Sequence, residues 1–379
     1  MTNNKKLIIC GAVCLTAIIL LILVLTVPIW DQPASAPVSA DGYENGKVTV
    51  RIKAVGDNLI HSPIFKSCKT EDGYNFDRSY ENIAGYISDA DIAVVNQETI
   101  FVPEESGYSG YPSFGTPHQT GESLEKAGFN VVTHATNHTY DRGTAGVNYT
   151  MDFWKQHDNI TVLGINDSPE KQQRVDLWQK GDLSIAMLNF TYGLNGYRLP
   201  EDKPYLVNLL QLGEFEENLL LQAEESADIT VVFVHFGTEY VHTPTKEQVE
   251  TVEFLCQNGA DIIIGTHPHV VQPMARHISE NGNEAIVYYS LGNFFSNQEG
   301  AAKILGAMAD ITITKENGKV MIENYEMHPL VTHCSDRKYS VYMLEDYNDK
   351  LAQKHSRARG LSMEKLNNLY NDIISIEVN

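Results

Sequence analysis

The decapeptide Asp261-Ile262-Ile263-Ile264-Gly265-Thr266-His267-Pro268-His269-Val270 decides how the chain is read. Ile262 to Ile264 are β-branched and uninterrupted by polar residues, the pattern of a strand covered on both faces. Gly265 lets the chain turn, and Pro268 stiffens the link between His267 and His269, so two imidazoles leave one strand end in a fixed relation. A loop built this way presents nitrogen ligands to a metal. A surface loop is the plainer reading of two histidines, and their place directly after a buried strand favours ligation or substrate contact over it.

The same arrangement recurs along the chain. Val50 to Val55 ends in Gly56 and Asp57, and Ile92 to Val95 ends in Asn96, Gln97 and Glu98. Val131 and Val132 lead through Thr133 and His134 to Asn137 and His138. Thr230 to Val234 ends in His235, and Ile286 to Tyr289 is followed by Ser290 and Asn293. In an α/β sheet the residues just beyond the carboxyl ends of strands line the site. Six apolar runs are therefore expected to deliver Asp, Glu, Asn and His to one edge.

Neutral His, Asn and carboxylate together suit first-row divalent ions, and the lack of clustered thiols points away from structural zinc. Asp57, Glu98, Asn137, His235, His267 and His269 provide the ligand inventory for one or two ions, with Mn, Zn or Fe as candidates. His138 and Asp141 add a different function: an imidazole aimed at substrate could protonate a leaving group while the carboxylate orients the ring. Local capping of the chain is the alternative for His138. Glu239, Tyr240 and Asn293 are candidate substrate contacts, whereas His61, His118, His134, His242, His277, His328 and His333 are read as ordinary core or surface residues.

At 379 residues with 42% hydrophobic content the chain can bury a large core. Its formal charge is -21. Lys5 and Lys6 are the only charges before Asp31, so of 28 basic residues 26 lie beyond it against 49 acidic, a balance of -23. Such a surface disfavours nucleic acid as a partner. Leu7 to Val27 carries no charge and is long enough to cross about 30 Å of hydrocarbon. With Lys5 and Lys6 on its short leading side, the expected topology is a single-pass cell-membrane anchor, N-terminus cytoplasmic and main domain extracellular. Cleavage after Ala34-Ser35-Ala36 is the less favoured alternative. Cys10 and Cys14 fall within the apolar segment, and Cys68, Cys256 and Cys334 form neither a disulfide framework nor a Cys-x-x-Cys site.

Asp31 to Gly46 is rich in Pro, Ala, Ser and Gly and reads as a tether. Helices are expected over Asp77–Ile87, Leu124–Ala127, Gly143–His157, Leu209–Ala223 and Thr245–Cys256, with Thr245 as N-cap of the last. Their alternation with strands argues an α/β core with a largely covered sheet. Pro103 to Thr120, with Tyr108, Tyr111 and Phe114, reads as a loop overhanging the site. Ala309–Thr314 and Val320–Met327, joined through Asn317-Gly318, read as a hairpin, and Met343–Lys354 and Ser362–Ile374 as closing helices.

Taken in order, Ala54 to Asp57, Asn96 to Glu98, Thr136 to Gly143, His235 to Tyr240, Gly265 to Val270 and Tyr289 to Phe294 resemble the bacterial CapA/PgsA family, named for poly-γ-glutamate capsule synthesis. The resemblance covers roughly Val48 to Met327. The family looks like a relative of calcineurin-type metallophosphoesterases, which implies a four-layer α/β/β/α sandwich. On that pattern Asp57 takes the first-strand ligand role, Glu98 the bridging carboxylate role and Asn137 a ligand role with His138 as general acid, while His235, His267 and His269 complete the metal set. Two departures stand out: Leu59 occupies the position where such phosphoesterases carry a His, and Glu98 is longer than the usual bridging Asp. Losing that His weakens one of two ion positions.

The domain organisation expected from all this is an anchor over 1–30, a linker over 31–46, a CapA-like domain of metallophosphoesterase type over 47–335 and a C-terminal helical extension packed on it over 336–379. The function implied is synthesis, export or attachment of poly-γ-glutamate or a similar envelope polymer, with membrane components of a polymer synthase or export complex as partners and an anionic polymer or phosphoester as ligand. The alternative is an extracellular metal-dependent phosphoesterase or γ-glutamyl hydrolase, and a third reading is a metal-free polymer-binding module.

Overall fold

In a computed structural model of the chain, the structure describes residues 46–378. The predicted anchor, its Cys10 and Cys14, and nearly all of the linker lie outside them. Among the described residues no helix is long and apolar enough to cross a membrane.

The fold is mixed α/β. β1 (Lys47–Asn58) is followed by a small hairpin, β2 (Lys69–Thr70) and β3 (Gly73–Tyr74), then by β4 (Ile92–Asn96), β5 (Val131–Thr133) and β6 (Thr161–Leu163). β7 (Asp176–Lys180), β8 (Leu183–Thr191), β9 (Ile229–His235) and β10 (Ile262–Thr266) come next, followed by β11 (Met274–Ile278), β12 (Glu284–Tyr288) and β13 (Asn293–Phe295). β14 (Leu305–Glu316), β15 (Lys319–Ser335) and β16 (Lys338–Met343) end the strand series.

These strands form two large sheets. One runs β16-β15-β14-β1-β4-β5-β6 with β13 pairing β1 beside it, and the other runs β11-β12-β10-β9-β8-β7. The single edge expected from the sequence is thus two edges, three of the six apolar runs ending on each sheet. Hydrophobic alternation cannot report this, because sheet membership is decided by non-local pairing.

The pleat sorts the side chains into layers. Ile52, Val94 and Val131 of the first sheet meet Ile185, Val231, Phe233 and Ile264 of the second in a core between the sheets. Val55, Ala93, Val95 and Val132 point the other way, against Ile83, Leu124, Phe153 and Trp154 of the outer helices. On the far side Val232, Val234 and Ile263 pack on Leu219, Leu220, Val252 and Leu255. Each such fully buried aliphatic side chain contributes about 1.5–3 kcal/mol.

The helix Asp77–Ile87 has the expected bounds, and Lys246–Gln257 begins after Thr245, whose Oγ1 accepts from Gln248 N at 3.3 Å. Gly143–Trp154 ends three residues earlier than expected, and the helix expected at 124–127 spans Gln119–Lys126. The helix expected from Leu209 starts only at Glu214. There Glu216 accepts from Gln211 N at 2.8 Å and Gly213 N at 3.0 Å, fixing the N-terminus, while Leu209 and Leu210 instead bond alongside Thr191. The hairpin turn carries Asn317 and Gly318 at φ +54° and +75°, as a primed turn requires.

The segment after residue 335 is not purely helical. Lys338–Met343 is a sheet strand paired to β15, and only Asp349–Lys354 and Met363–Ile374 are α-helices in the part expected to be a helical extension. A boundary at 335 therefore cuts a hairpin. Ala352, Leu361, Leu366 and Ile373 enter the core shared by the two sheets.

Candidate metal centre

The carboxyl ends of β1, β4, β5, β9 and β10 converge. Asp57 is the penultimate residue of β1, His235 the last of β9, and Glu98, Asn137, His267 and His269 follow their strands within a few residues. All six are buried. Gly56 and Gly265 make the approach physically available: an added Cβ would lie 1.9 Å from Gly292 O at Gly56 and 2.0 Å from Tyr289 O at Gly265. His267 and His269 hold φ of +100° and +57°. Backbone strain of this kind persists only where surrounding structure over-determines it, and it clusters at functional sites.

Asp57 is held from three directions. Asn96 Nδ2 donates to its Oδ1 at 2.8 Å, His267 N at 3.3 Å, and His269 Nδ1 lies 2.9 Å from Oδ2. His235 sits between Thr266 Oγ1, 2.9 Å from Nδ1, and Asn137 Oδ1, 3.0 Å from Nε2. Glu98 Oε1 is 3.8 Å from His235 Nε2 and 3.7 Å from His269 Nε2, close enough to share an ion with either.

The Glu98 carboxylate is only 1% exposed, and neither oxygen has a hydrogen-bond partner. Buried polar atoms are almost always paired, so two orphaned carboxylate oxygens facing imidazole nitrogens are what a cation would satisfy. His267 Nδ1 is likewise buried and unpartnered. Three overlapping ligand groups result: Glu98 with His235 and His267, Glu239 with His267 and His269, and Asp57 with Glu98 and His269. The donors fit a divalent first-row ion.

Electrostatics agree with the geometry. Burial drives the Glu98 carboxyl well above the usual carboxylate range. Burial also lowers His235 strongly and His267 to about 3, so both are neutral, ligand-competent imidazoles. His269 differs: burial pulls it down, but the Glu98 and Asp57 carboxylates outweigh that and raise it to about 9.

His138 and Asp141 stand at the rim of the cluster. His138 Nδ1 lies 2.7 Å from Asp141 Oδ2, and Phe114 N donates to the same oxygen at 2.7 Å. The Phe114 ring meets His138 edge-on at 4.7 Å, so the loop expected to overhang the site supplies one of its walls. Tyr240 is 48% exposed with its ring 6.1 Å from His269. Glu239, expected to touch substrate, is exposed and belongs to one of the ligand groups. Asn293 is fully buried; its Nδ2 lies within hydrogen-bond distance of His269 O, Gln298 Oε1 and Lys303 O and so ties down the His269 loop, while its Oδ1 is buried without a partner.

Leu59 is buried, with its backbone N bonded to Phe295 O at 2.8 Å. The sequence reading gave no role to Asn96 and Thr266, which orient Asp57 and His235, and did not single out Tyr192 and Asn195 beyond β8. The Tyr192 ring lies 4.7 Å from His267, and Asn195 Oδ1 accepts from Asn137 Nδ2 at 3.2 Å. The strand-end rule applied to β8 would have found the latter two. Tyr192 also opens onto a groove of about 520 Å3 with Tyr197, Arg198 and Phe215 in its walls. Among the described residues Cys68, Cys256 and Cys334 are free thiols, and none belongs to a ligand group.

The sequence profile described as "Bacterial capsule synthesis protein PGA_cap" matches residues 51–298, the span that carries every residue of the cluster. The chain is 24% identical over 290 residues to the capsule biosynthesis protein CapA of Bacillus anthracis, covering 74% of this chain and 67% of that protein. It is 30% identical over 220 residues to the PGA biosynthesis protein CapA of Bacillus subtilis (strain 168), covering 58% of this chain and 55% of that one. Among solved structures, a putative 5'-nucleotidase from Staphylococcus aureus is similar with a TM-score of 0.45 and 18% identity, over 74% of this chain and 54% of that one. The calcineurin-like phosphoesterase YfkN from Bacillus subtilis gives a TM-score of 0.41 and 14% identity, over 86% of this chain and 97% of that one. By the extent of the profile match, the chain belongs to the bacterial capsule synthesis protein PGA_cap family.

Proposed function

We propose that this protein acts in bacterial capsule biosynthesis, in the synthesis, export or attachment of poly-γ-glutamate or a similar envelope polymer. The observation that carries the reading is the family match over residues 51–298, which contains the whole Asp57, Glu98, His235, His267 and His269 cluster. Its two sheets between helical layers are read as a sandwich of metallophosphoesterase type. The Leu7 to Val27 segment is proposed to anchor it in the cell membrane, with the main domain outside and membrane components of a synthase or export complex as partners.

Asp57, Glu98, Asn137, His235, His267 and His269 are proposed to hold one or two divalent ions, with Mn, Zn or Fe as candidates. A bound ion would supply charge stabilisation for an anionic oxygen of the ligand. His138, with its Nδ1 occupied by Asp141, keeps Nε2 for a proton exchanged with the ligand, and Asp141 fixes the ring. Tyr192 and Tyr240, both about half exposed, stand beside His267 and His269 where an incoming ligand could meet their rings. The alternative, an extracellular phosphoesterase or γ-glutamyl hydrolase, is less favoured, because buried Leu59 stands where such phosphoesterases carry a ligand His.

Deleting the gene in the native host and measuring surface polymer by acid hydrolysis and glutamate analysis tests the reading. Wild-type chain should restore the polymer, and Glu98→Gln should not. Polymer unchanged by the deletion sinks the proposal.

A further inference from the structure

Residues beyond the family match build a second feature. The segment after β13 folds past Gln298, Glu299 and Gly300 and meets the connection between the helices Asp349–Lys354 and Met363–Ile374. A cavity of about 520 Å3 lies between them, lined by Glu299, Gly300, Arg357, Arg359, Leu361 and Lys365 among others. Of its charged lining residues three are basic and one acidic, on a chain with 49 acidic residues against 28 basic ones. A local surplus of positive charge on so acidic a surface is the place an anion would settle.

The cations are presented in distinct ways. Arg357 is fixed, its Nη2 donating to Tyr339 OH at 3.1 Å and its Nη1 to Glu299 Oε1 at 2.8 Å, while its buried Nε has no partner. Arg359 and Lys365 are exposed at the mouth. Gly300 N bonds Arg357 O at 2.9 Å, and a Cβ at Gly300 would meet nothing within 4 Å, so the wall opens here. Glu299 is 68% exposed and is held by that single ion pair. A carboxylate is thus already seated on Arg357, in a form that an incoming carboxylate can replace at little cost.

The same segment leads to the candidate metal centre. Lys303 Nζ lies 4.6 Å over the Tyr240 ring, Gln298 Nε2 donates to Tyr240 OH at 3.3 Å, and Asn293 ties Gln298 and Lys303 to the His269 loop. Lys303 stands two residues beyond Ala301 of the cavity wall, in the helix Ala301–Ile304, so the basic cavity and the Lys303 ammonium beside Tyr240 belong to one short stretch of chain. Spaced single charges suit a chain of carboxylates better than one concentrated dianion such as phosphate.

We propose that the cavity between Glu299–Ala301 and Ser356–Lys365 is a carboxylate subsite that grips an anionic polyglutamate chain and leads it past Lys303 to the metal centre. Glu299 occupies Arg357 until the polymer displaces it. The naming of the ligand rests on the capsule function proposed above; the cavity and its charge do not.

The test is binding of the full-length chain in detergent to fluorescent oligo-γ-glutamate of increasing length, with inorganic phosphate as competitor. Arg359→Glu combined with Lys365→Glu should weaken binding about tenfold and flatten its salt dependence. Glu299→Ala should tighten it, and Lys246→Glu, on a remote exposed helix, should leave it unchanged. Arg359 and Lys365 are exposed, so the double variant keeps its fold, and a thermal melt confirms this. Undiminished binding in the double variant, or looser binding in Glu299→Ala, overturns the subsite. Phosphate competing as well as the oligomer, with no gain from chain length, overturns its assignment to a polycarboxylate. If the double variant loses binding while gene deletion leaves surface polymer intact, the subsite stands and the capsule function falls.

Discussion

His269 Nδ1 lies 2.9 Å from Asp57 Oδ2, although the two residues are 212 positions apart and stand at the ends of strands of different sheets. The contact forms because β1 and β10 end on the same rim of the sandwich. Burial lowers His269, but the Glu98 charge first and this Asp57 contact second outweigh it and raise the imidazole to about 9, so it carries a positive charge. An ion bound there takes over that charge, and the proton must leave.

Divalent-ion binding is therefore expected to strengthen as pH rises toward about 9, by up to about tenfold per pH unit for each proton released. Titration with Mn and Zn between neutral and alkaline pH checks this, and a flat profile would contradict it. Glu98→Gln should abolish tight binding. In chelated protein the sign reverses for stability: His269's contribution is complete below its ordinary value of 6.5 and is lost as pH rises through about 9.

Asp141→Ala should cost about 1–3 kcal/mol, because Phe114 N is buried and loses its acceptor. Thermal melting should fall, and limited proteolysis should open the chain between Pro103 and Pro117. Asp141→Asn keeps an acceptor oxygen and should recover part of the loss. Equal protease resistance in Asp141→Ala and wild type would refute the loop's dependence on this carboxylate.

Two glycines predict opposite outcomes. Gly265→Ala puts a methyl 2.0 Å from Tyr289 O and 2.7 Å from Phe236 Cε1, forcing the backbone apart, with a cost of about 3 kcal/mol or more. Gly85→Ala, in the exposed face of the helix Asp77–Ile87 with nothing within 4 Å, should stabilise by about 0.5–1 kcal/mol. Urea midpoints of the two variants should move in opposite directions from wild type.

His134 is buried against Trp154, whose Nε1 donates to its Nε2 at 2.8 Å, and burial lowers it to about 3. The unfolded chain binds this proton more readily, so stability is complete above 6.5 and falls as pH drops toward about 3, by up to about 1.4 kcal/mol per pH unit. His134→Gln should flatten the acid limb of a stability-against-pH curve. An unchanged slope in that variant would assign the acid sensitivity to other groups.

Much of the centre was legible because its residues obey a local rule. Asp57, Glu98, Asn137, His235, His267 and His269 each follow an apolar run, and period and composition identify such runs without knowledge of the fold. Caps and turns were equally local: Thr245 and Ser362 accept from the backbone of their own helices, and Asn317-Gly318 needs only positive φ. Tyr192 and Asn195 stand just beyond β8 and were within reach of the same rule, but only the pairing of β8 with β9 shows that this strand end belongs to the centre. The part Asn293 plays in tying down the His269 loop was not legible either, because the oxygens its Nδ2 meets are brought to it by the fold.

By itself the sequence determined the apolar runs that become the central strands, the side chains that stand at their ends, and that those side chains are of types able to ligate a metal. Only the tertiary structure decided that the strands divide into two facing sheets, that Asp57 and His269 meet, and that Arg357 returns beside Glu299. The physical reason is that alternation and caps are set by neighbours in the chain, whereas pairing, burial and charge coupling depend on which distant segments exclude water together.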